Sequence, residues 1–296
     1  MKTVTTTAAL RNELERSRDQ GLRIGFVPTM GSLHDGHLSL LRRARAENDV
    51  VVLSIFVNPM QFNDANDLLR YPRDLGRDAS LAEGEGTDLI FAPEVPDIYP
   101  EGFAAVVAIP AQSAILEGAI RGASHFDGVL TVVAKLFNIV QPTVAYFGQK
   151  DAQQVFLVQR MVRDLAFPLR VEVCPTVREA DGLALSSRNV RLSDDDRRVS
   201  IALSAALQSA AHAIESGERD VTILRQRAVQ ALKHAGISTE YFDVVSAQAF
   251  EPLALASGRV IILVAARVGP IRLIDNVVVN VSTTDTRAAA GGTNEI

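Results

Sequence analysis

Two histidines flank an Asp-Gly pair in His34-Asp35-Gly36-His37, just after the turn Pro28-Thr29-Met30-Gly31-Ser32-Leu33. An apolar run at 22–27 precedes the turn, and Leu38, Leu40, Leu41 and Ala44 follow it at helical spacing. That order reads as strand, turn, helix start. A helix start offers backbone N–H groups and a positive dipole end, so it favours anions. Imidazoles there can donate to phosphate oxygens, and Gly36 removes a side chain that would hold a phosphate off the backbone. The chemistry this predicts is phosphate charge stabilised by position, without a covalent enzyme intermediate. A metal pair of His34 and His37, with His125 as third ligand, is the competing reading. No Glu or Cys stands nearby at zinc-type spacing.

Three more segments carry candidate groups. Gly148-Gln149-Lys150-Asp151 ends one apolar run and opens a helical one, a second anion site in which Lys150 supplies a mobile charge. Ser186-Ser187-Arg188-Asn189 offers two hydroxyls and a guanidinium to phosphate; a polar turn before the next helix explains it equally well. Asn58-Pro59-Met60-Gln61-Phe62, with Gln153-Gln154, suits a small substrate bearing hydroxyl and methyl groups. Glu117 to Arg121, followed by His125, reads either as acid–base and phosphate groups or as an ion pair and a helix cap. His212 and His234 receive no role. Asp194-Asp195-Asp196 after Ser193 reads as a helix start rather than a metal cluster.

The elements that must position these groups alternate. Strands are predicted at 22–27, 50–57, 88–92, 143–147 and 169–173, with helices at 37–46, 74–83, 127–140 and 152–165 between them. This predicts an α/β fold with a Rossmann-like parallel sheet, whose functional loops gather at the carboxyl ends of the strands. After Pro175 come helices at 199–215 and 221–235, with Gly217 and Gly236 as stops. Strands at 241–246, 259–268 and 271–281 follow, the last two joined through Gly269-Pro270. The expected division is a nucleotide- and substrate-binding domain at 1–176, a smaller α+β lid domain with an antiparallel sheet at 177–283, and a disordered tail at 284–296.

Composition excludes several classes. The net charge of −5 over 296 residues argues against general nucleic-acid binding. No apolar run is long enough to span a bilayer, and the first ten residues have no apolar core of a signal peptide. Cys174, the single cysteine, has no partner for an intrachain disulfide, as expected of a cytoplasmic protein.

Taken together, the motifs resemble the pantoate–β-alanine ligases, a family of HxGH nucleotidyltransferases. The matching segments include Val27 to Gly31, the HxGH residues, Ser54 to Phe62, Tyr71-Pro72-Arg73, His125 to Val129, Phe147 to Asp151, Arg178 to Gly182, Ser186 to Asn189 and Leu273 to Asn276. The resemblance implies ATP-dependent condensation of pantoate with β-alanine through a pantoyl adenylate, releasing pyrophosphate and AMP. It places Met30, Gly31, Ser32, Leu33, His34, Asp35, Gly36 and His37 at ATP, with His37 as proton donor. Gly148, Gln149, Lys150 and Asp151 join that site, as do Val177, Leu185, Ser186, Ser187 and Arg188. His37, His34, Lys150 and Arg188 are the expected catalytic groups. Gln61 and Gln154, with Asn58, are expected to hold pantoate, and Gln61 to border β-alanine. The family often has Glu at Gln149 and an aromatic residue at Ala152. Its magnesium-linked aspartates are matched here only by Asp78, so Mg2+ is expected to ride on ATP. A homodimer is also implied. The competing readings are another HxGH nucleotidyltransferase, a non-catalytic nucleotide binder and a metal hydrolase.

Overall fold

The computed structural model describes residues 1–63 and 65–281. The tail expected at 284–296 lies outside the described residues, as do the last two residues of the expected second domain. The chain begins β1 (Lys2–Val4), α1 (Thr7–Asp19), β2 (Ile24–Thr29), α2 (Asp35–Glu47), β3 (Val50–Ile55), α3 (Ala65–Arg70), α4 (Leu75–Gly84) and β4 (Leu89–Phe91). Short helices α5 (Val95–Ile98), α6 (Pro110–Ser113) and α7 (Glu117–Arg121) lead into α8 (Ala123–Val140), β5 (Val144–Gly148), α9 (Ala152–Asp164) and β6 (Arg170–Cys174).

β1 to β6 form one parallel sheet in the order β1-β4-β3-β2-β5-β6. Ile24, Phe26 and Val27 of β2, and Val51, Val52 and Leu53 of β3, are fully or almost fully buried. Helices cover both faces of the sheet, so its central strands read as unbroken apolar runs. β2 pairs with β3 on one side and β5 on the other, and chain order reverses there. The loops after β2 and β5 therefore open onto one crevice at the carboxyl ends of the strands.

Sequence periodicity missed β1 and α1. β1 is three residues long, and α1 buries only Leu10 and Leu14. Neither leaves an apolar stripe to detect. The helix expected at 199–215 is two helices, α10 (Asp194–Ser200) and α11 (Ala202–Glu215), separated at Ile201. Ser193 does cap α10, accepting from the Asp196 amide at 3.1 Å.

α12 (Val221–His234) follows, then the antiparallel sheet of β7 (Ser238–Ser246), β8 (Arg259–Val268) and β9 (Ile271–Asn280). Gly269, with φ +54°, sits in the turn joining β8 to β9. Leu203, Leu207, Leu224 and Leu232 pack on one face of this sheet with Val244, Ile262 and Val264. Val245, Ile261 and Leu263 instead join the core of the first sheet, where Phe250 lies against Phe156 with ring centroids 5.0 Å apart. The second sheet thus adds a wall to the crevice.

Candidate active site

The corner between β2 and α2 is held by its own residues. Thr29 Oγ1 donates to the Ser54 carbonyl at 2.8 Å and accepts from Gly31 N at 3.1 Å. Gly31 and Ser32 both have positive φ, +82° and +54°. Their turn presents the amides of Ser32 and Leu33 to the buried Asp78 carboxylate, at 2.7 and 2.8 Å. His34 Nδ1 accepts from Gly36 N at 3.1 Å, and His37 Nδ1 accepts more weakly from His34 N at 3.4 Å, which closes a capping box. The free amides expected for an anion at this helix start are therefore largely in use. Each imidazole accepts through Nδ1, so its neutral form carries the proton on Nε2. The two rings lie against each other at a 44° tilt, with centroids 4.2 Å apart. Burial pushes His37 down to about 3, helped by the charges of His34 and Lys150. Burial and Lys150 lower His34 against the pull of Asp151 and Asp35. Both rings are neutral N–H donors at neutral pH.

The corner between β5 and α9 depends on a distant strand. No side chain caps α9. Asn276 of β9 donates from Nδ2 to the carbonyls of Gln149 and Lys150, both at 2.9 Å, and accepts from Gln149 Nε2 at 2.9 Å. Asn276 is itself held in place because Arg178 forms a bidentate ion pair with its neighbour Asp275, at 2.7 and 3.0 Å. The Lys150 ammonium has no hydrogen-bond or ion-pair partner among the described residues, and Lys150 lines the crevice.

A third corner follows β3. Asn58 is 1% exposed. Its Nδ2 donates to Gln61 Oε1 and to the Gly128 carbonyl, both at 3.0 Å; its Oδ1 accepts from Tyr99 Oη at 2.8 Å and Met60 N at 3.3 Å. Asn58 is therefore a clamp that orients Gln61, leaving the Gln61 amide nitrogen toward Met30 Sδ at 3.0 Å. Gly128 permits this approach: a Cβ there would lie 2.3 Å from the Met60 carbonyl oxygen. Gln153 is likewise structural, bonding to Gln112, Ile115 and Glu117 backbone atoms.

Glu117 ties α7 to the second sheet. Its carboxylate accepts from Arg272 Nη1 and Nη2 at 2.9 and 2.5 Å, from Tyr241 Oη at 2.8 Å and from Arg121 Nε at 2.9 Å. Burial alone would raise its pKa; the Arg272 hydrogen bonds and charge, with Arg121 and Tyr241, bring it down to about 2. Arg188 lies close enough to Arg121 for their charges to repel, and burial together with Arg121 lowers its pKa.

The family model for Pantoate-beta-alanine ligase matches residues 2–278. The chain belongs to this family. It is 51% identical over 284 residues to a pantothenate synthetase of Moorella thermoacetica, covering 95% of this chain and 100% of that one. The crystal structure of a pantothenate synthetase from Thermus thermophilus superposes with TM-score 0.87 at 48% identity, covering 94% of this chain and 99% of that one. A pantoate-beta-alanine ligase from Francisella tularensis, crystallised with beta-gamma ATP and β-alanine, gives TM-score 0.77 at 35% identity over 94% of this chain and 97% of that one. The chain is thus an AMP-forming carbon–nitrogen ligase that condenses pantoate with β-alanine.

In this ligase one crevice is lined by Met30, His37, Asn58, Gln61, Lys150, Asp151, Gln154 and Arg188. These residues come from four separate stretches of sequence. His34, Gly31, Ser32, Leu33, Asp35 and Gly36 form the corner behind His37 rather than the lining, and Gly148 and Gln149 stand behind Lys150. Val177, Leu185, Ser186 and Ser187 do not line the crevice; Ser186 Oγ accepts from Arg188 N at 3.2 Å and so shapes the loop that delivers Arg188. The sequence reading assigned no role to Tyr71 or Tyr241, both of which line the crevice. Tyr71 belongs to the Tyr71-Pro72-Arg73 segment shared with the family; Tyr241, on an ordinary amphipathic strand, carries no sequence signal. The Glu117 ion pair was one of two open readings, but its reach across to β9 was not legible.

Asp78, which alone matches the family's magnesium-linked aspartates, has both oxygens taken by backbone amides and lies 3.5 Å from Arg77. Among the described residues no cluster of three or more His, Cys, Asp or Glu could hold a metal. No described helix is long and apolar enough to cross a membrane.

Proposed function

We propose that the crevice runs both halves of the ligase reaction, with ATP across the β2 and β5 corners and pantoate between them and Gln61. The observation that carries this reading is the shared lining of His37, Lys150, Arg188, Gln61 and Gln154. The first half brings the pantoate carboxylate to the α-phosphate of ATP, so like charges must approach in a partly dehydrated cleft. Lys150 and Arg188 supply positive charge, and His37 donates its Nε2–H, where charge builds on the phosphorus oxygens. One preorganised donor of this kind contributes about 3 kcal/mol to the barrier. Neutral His37 acts through this hydrogen bond in the free enzyme; the anionic triphosphate draws its pKa upward when bound. Gln61 and Gln154 present amides to the pantoate hydroxyls, and Asn58 fixes the Gln61 rotamer. The apolar lining of Phe56, Val129 and Phe147 receives the pantoate methyl groups.

In the second half the β-alanine amine attacks the acyl carbon, and AMP departs with the electron pair of the acyl–oxygen bond. Residues 177–281 act as a cover that shields the mixed anhydride from water. Their contribution of Tyr241, Asp275 and Asn276 to the lining supports that role. Magnesium travels with the ATP phosphates, consistent with the Asp78 carboxylate being taken by backbone amides. The working unit is a pair of chains in the cytoplasm. Light scattering giving a single-chain mass would end that assignment.

The deciding assay measures AMP release with pantoate and β-alanine added separately and together. Full AMP release is expected only with both. AMP release equal with and without β-alanine would overturn the assignment of the second half.

A further inference from the structure

We infer that His125 Nε2 takes the proton from the β-alanine ammonium group, so that the neutral amine can attack the acyl adenylate. The inference rests on the reading of the crevice given above. It begins with a contrast among three histidines. His34 and His37 accept backbone N–H groups through Nδ1, which leaves Nε2 protonated and makes both rings donors. His125 has the opposite arrangement. Its Nδ1 lies 2.8 Å from the Gln61 carbonyl oxygen, an atom that only accepts. The Nδ1 must therefore carry the hydrogen, and the neutral ring holds an open lone pair on Nε2. Of these three rings, it is the one built to accept a proton.

Placement supports the same role. His125 lines the crevice, and its Nε2 has no protein partner among the described residues. The contact to Gln61 ties the ring to the residue assigned to the border of pantoate and β-alanine. Phe126 packs beside the ring with centroids 5.1 Å apart. The charged groups facing it are Arg121 and Glu117 of α7 and Asp151 before α9. Burial and Arg121 favour the neutral form, while the Gln61 contact, Glu117 and Asp151 oppose them; the balance lowers the pKa. A neutral base at physiological pH follows.

Atoms and charge balance in this step. One ammonium proton moves to Nε2, and the nitrogen lone pair forms the C–N bond. The acyl–oxygen bond to the phosphate breaks with its electrons on AMP. The second nitrogen proton leaves to water as the amide forms, and the imidazolium returns its proton to solvent.

The test separates nucleophiles. Holoenzyme is loaded with pantoyl adenylate from ATP and pantoate, with pyrophosphatase present, and then mixed with β-alanine or with hydroxylamine. The amine of β-alanine, with a pKa of roughly 10 as for alkylammonium groups, is almost wholly protonated at neutral pH; hydroxylamine is already neutral. His125→Gln keeps a donor for the Gln61 carbonyl and lacks the base. The expected result is a fall of about 10²-fold in the β-alanine step, typical of a lost general base. Hydroxylamine trapping and pantoate-dependent pyrophosphate exchange should stay within about twofold of the unaltered enzyme. The β-alanine deficit should narrow as pH rises. An undiminished β-alanine rate, or equal losses with both nucleophiles, overturns the inference. A readout free of any variant is the imidazole 15N spectrum of the unaltered enzyme: a proton on His125 Nε2 in the neutral ring overturns it, and one on Nδ1 upholds it. Absent pantoate-dependent exchange in the unaltered enzyme would fault the reading of the crevice, whatever His125 does.

Discussion

The two corners that flank the crevice solve one problem differently. Each is a strand turning into a helix, and each must bring polar groups to a dry cleft without orphaning its backbone. At the β2 corner His34 and His37 cap the helix they begin, and the more distant partners, Ser54, Arg77 and Asp78, all belong to the first domain's own sheet and helices. At the β5 corner the helix lacks a side-chain cap, and Asn276 reaches in from the antiparallel sheet. The first corner is rigid on local terms and fixes the tautomers of its histidines. The second is complete only while the second sheet is docked, so Lys150 is the group whose setting tracks that docking. This divides the crevice into a preset half and a half coupled to the second sheet.

The strongest way to break the comparison is to loosen the docking itself. Glu117→Ala leaves Arg272 and Arg121 without their shared carboxylate, and should cost about 3–5 kcal/mol in urea unfolding. Its effect should fall on the β5 corner, with the His34 and His37 ring signals in NMR unchanged; shifts at both corners would erase the distinction. The same carboxylate gives a pH signature. Its folded pKa, about 2, lies below the ordinary 4.5. Its contribution to stability is therefore full above the unfolded value, declines as pH falls through that window, and is gone below about 2. Urea midpoints in Glu117→Gln should lose that part of the acid dependence.

Next in size is His37→Ala, expected to slow pantoate-dependent pyrophosphate exchange by about 10²–10³-fold with little change in Tm. A normal exchange rate would remove this ring from the chemistry. Asn276→Ala should cost about 1–3 kcal/mol, because two carbonyls lose their donor. It should also raise KM for ATP while leaving KM for pantoate alone, and a reversed pattern would separate Lys150 from the nucleotide. The smallest expected effect is an absence. With His37 held near 3, kcat/KM for adenylate formation between pH 5 and 8 should show no limb from this ring in the free enzyme. A limb near 6.5 that His37→Ala abolishes would show that burial and the Lys150 charge do not keep the ring neutral.

Much of the site was legible before the fold. The strand–turn–helix order around His34 and His37, the matching order around Lys150 and the cluster at Asn58 to Phe62 all lie in short stretches, where local propensity and turn residues govern conformation. Legibility failed for roles that depend on a partner's position. Asn58 read as a substrate contact and is a clamp on Gln61, because Tyr99 and Gly128 take up its remaining capacity. Gln149 read as part of the nucleotide site and faces Asn276. A side chain's type states what it can bond to; only its neighbours decide whether that capacity stays open.

The sequence by itself determined the alternation of strands and helices, the reversal to helices and antiparallel strands after Pro175, and the family, since each is written in composition and order along the chain. Tertiary structure alone decided which nitrogen of each histidine carries the proton, that a carboxylate on α7 ties that helix to the second sheet, and that β9 buttresses the turn bearing Lys150. Hydrogen bonds between residues more than a hundred positions apart carry no local pattern; they exist only once burial has brought donor and acceptor within about 3 Å of each other.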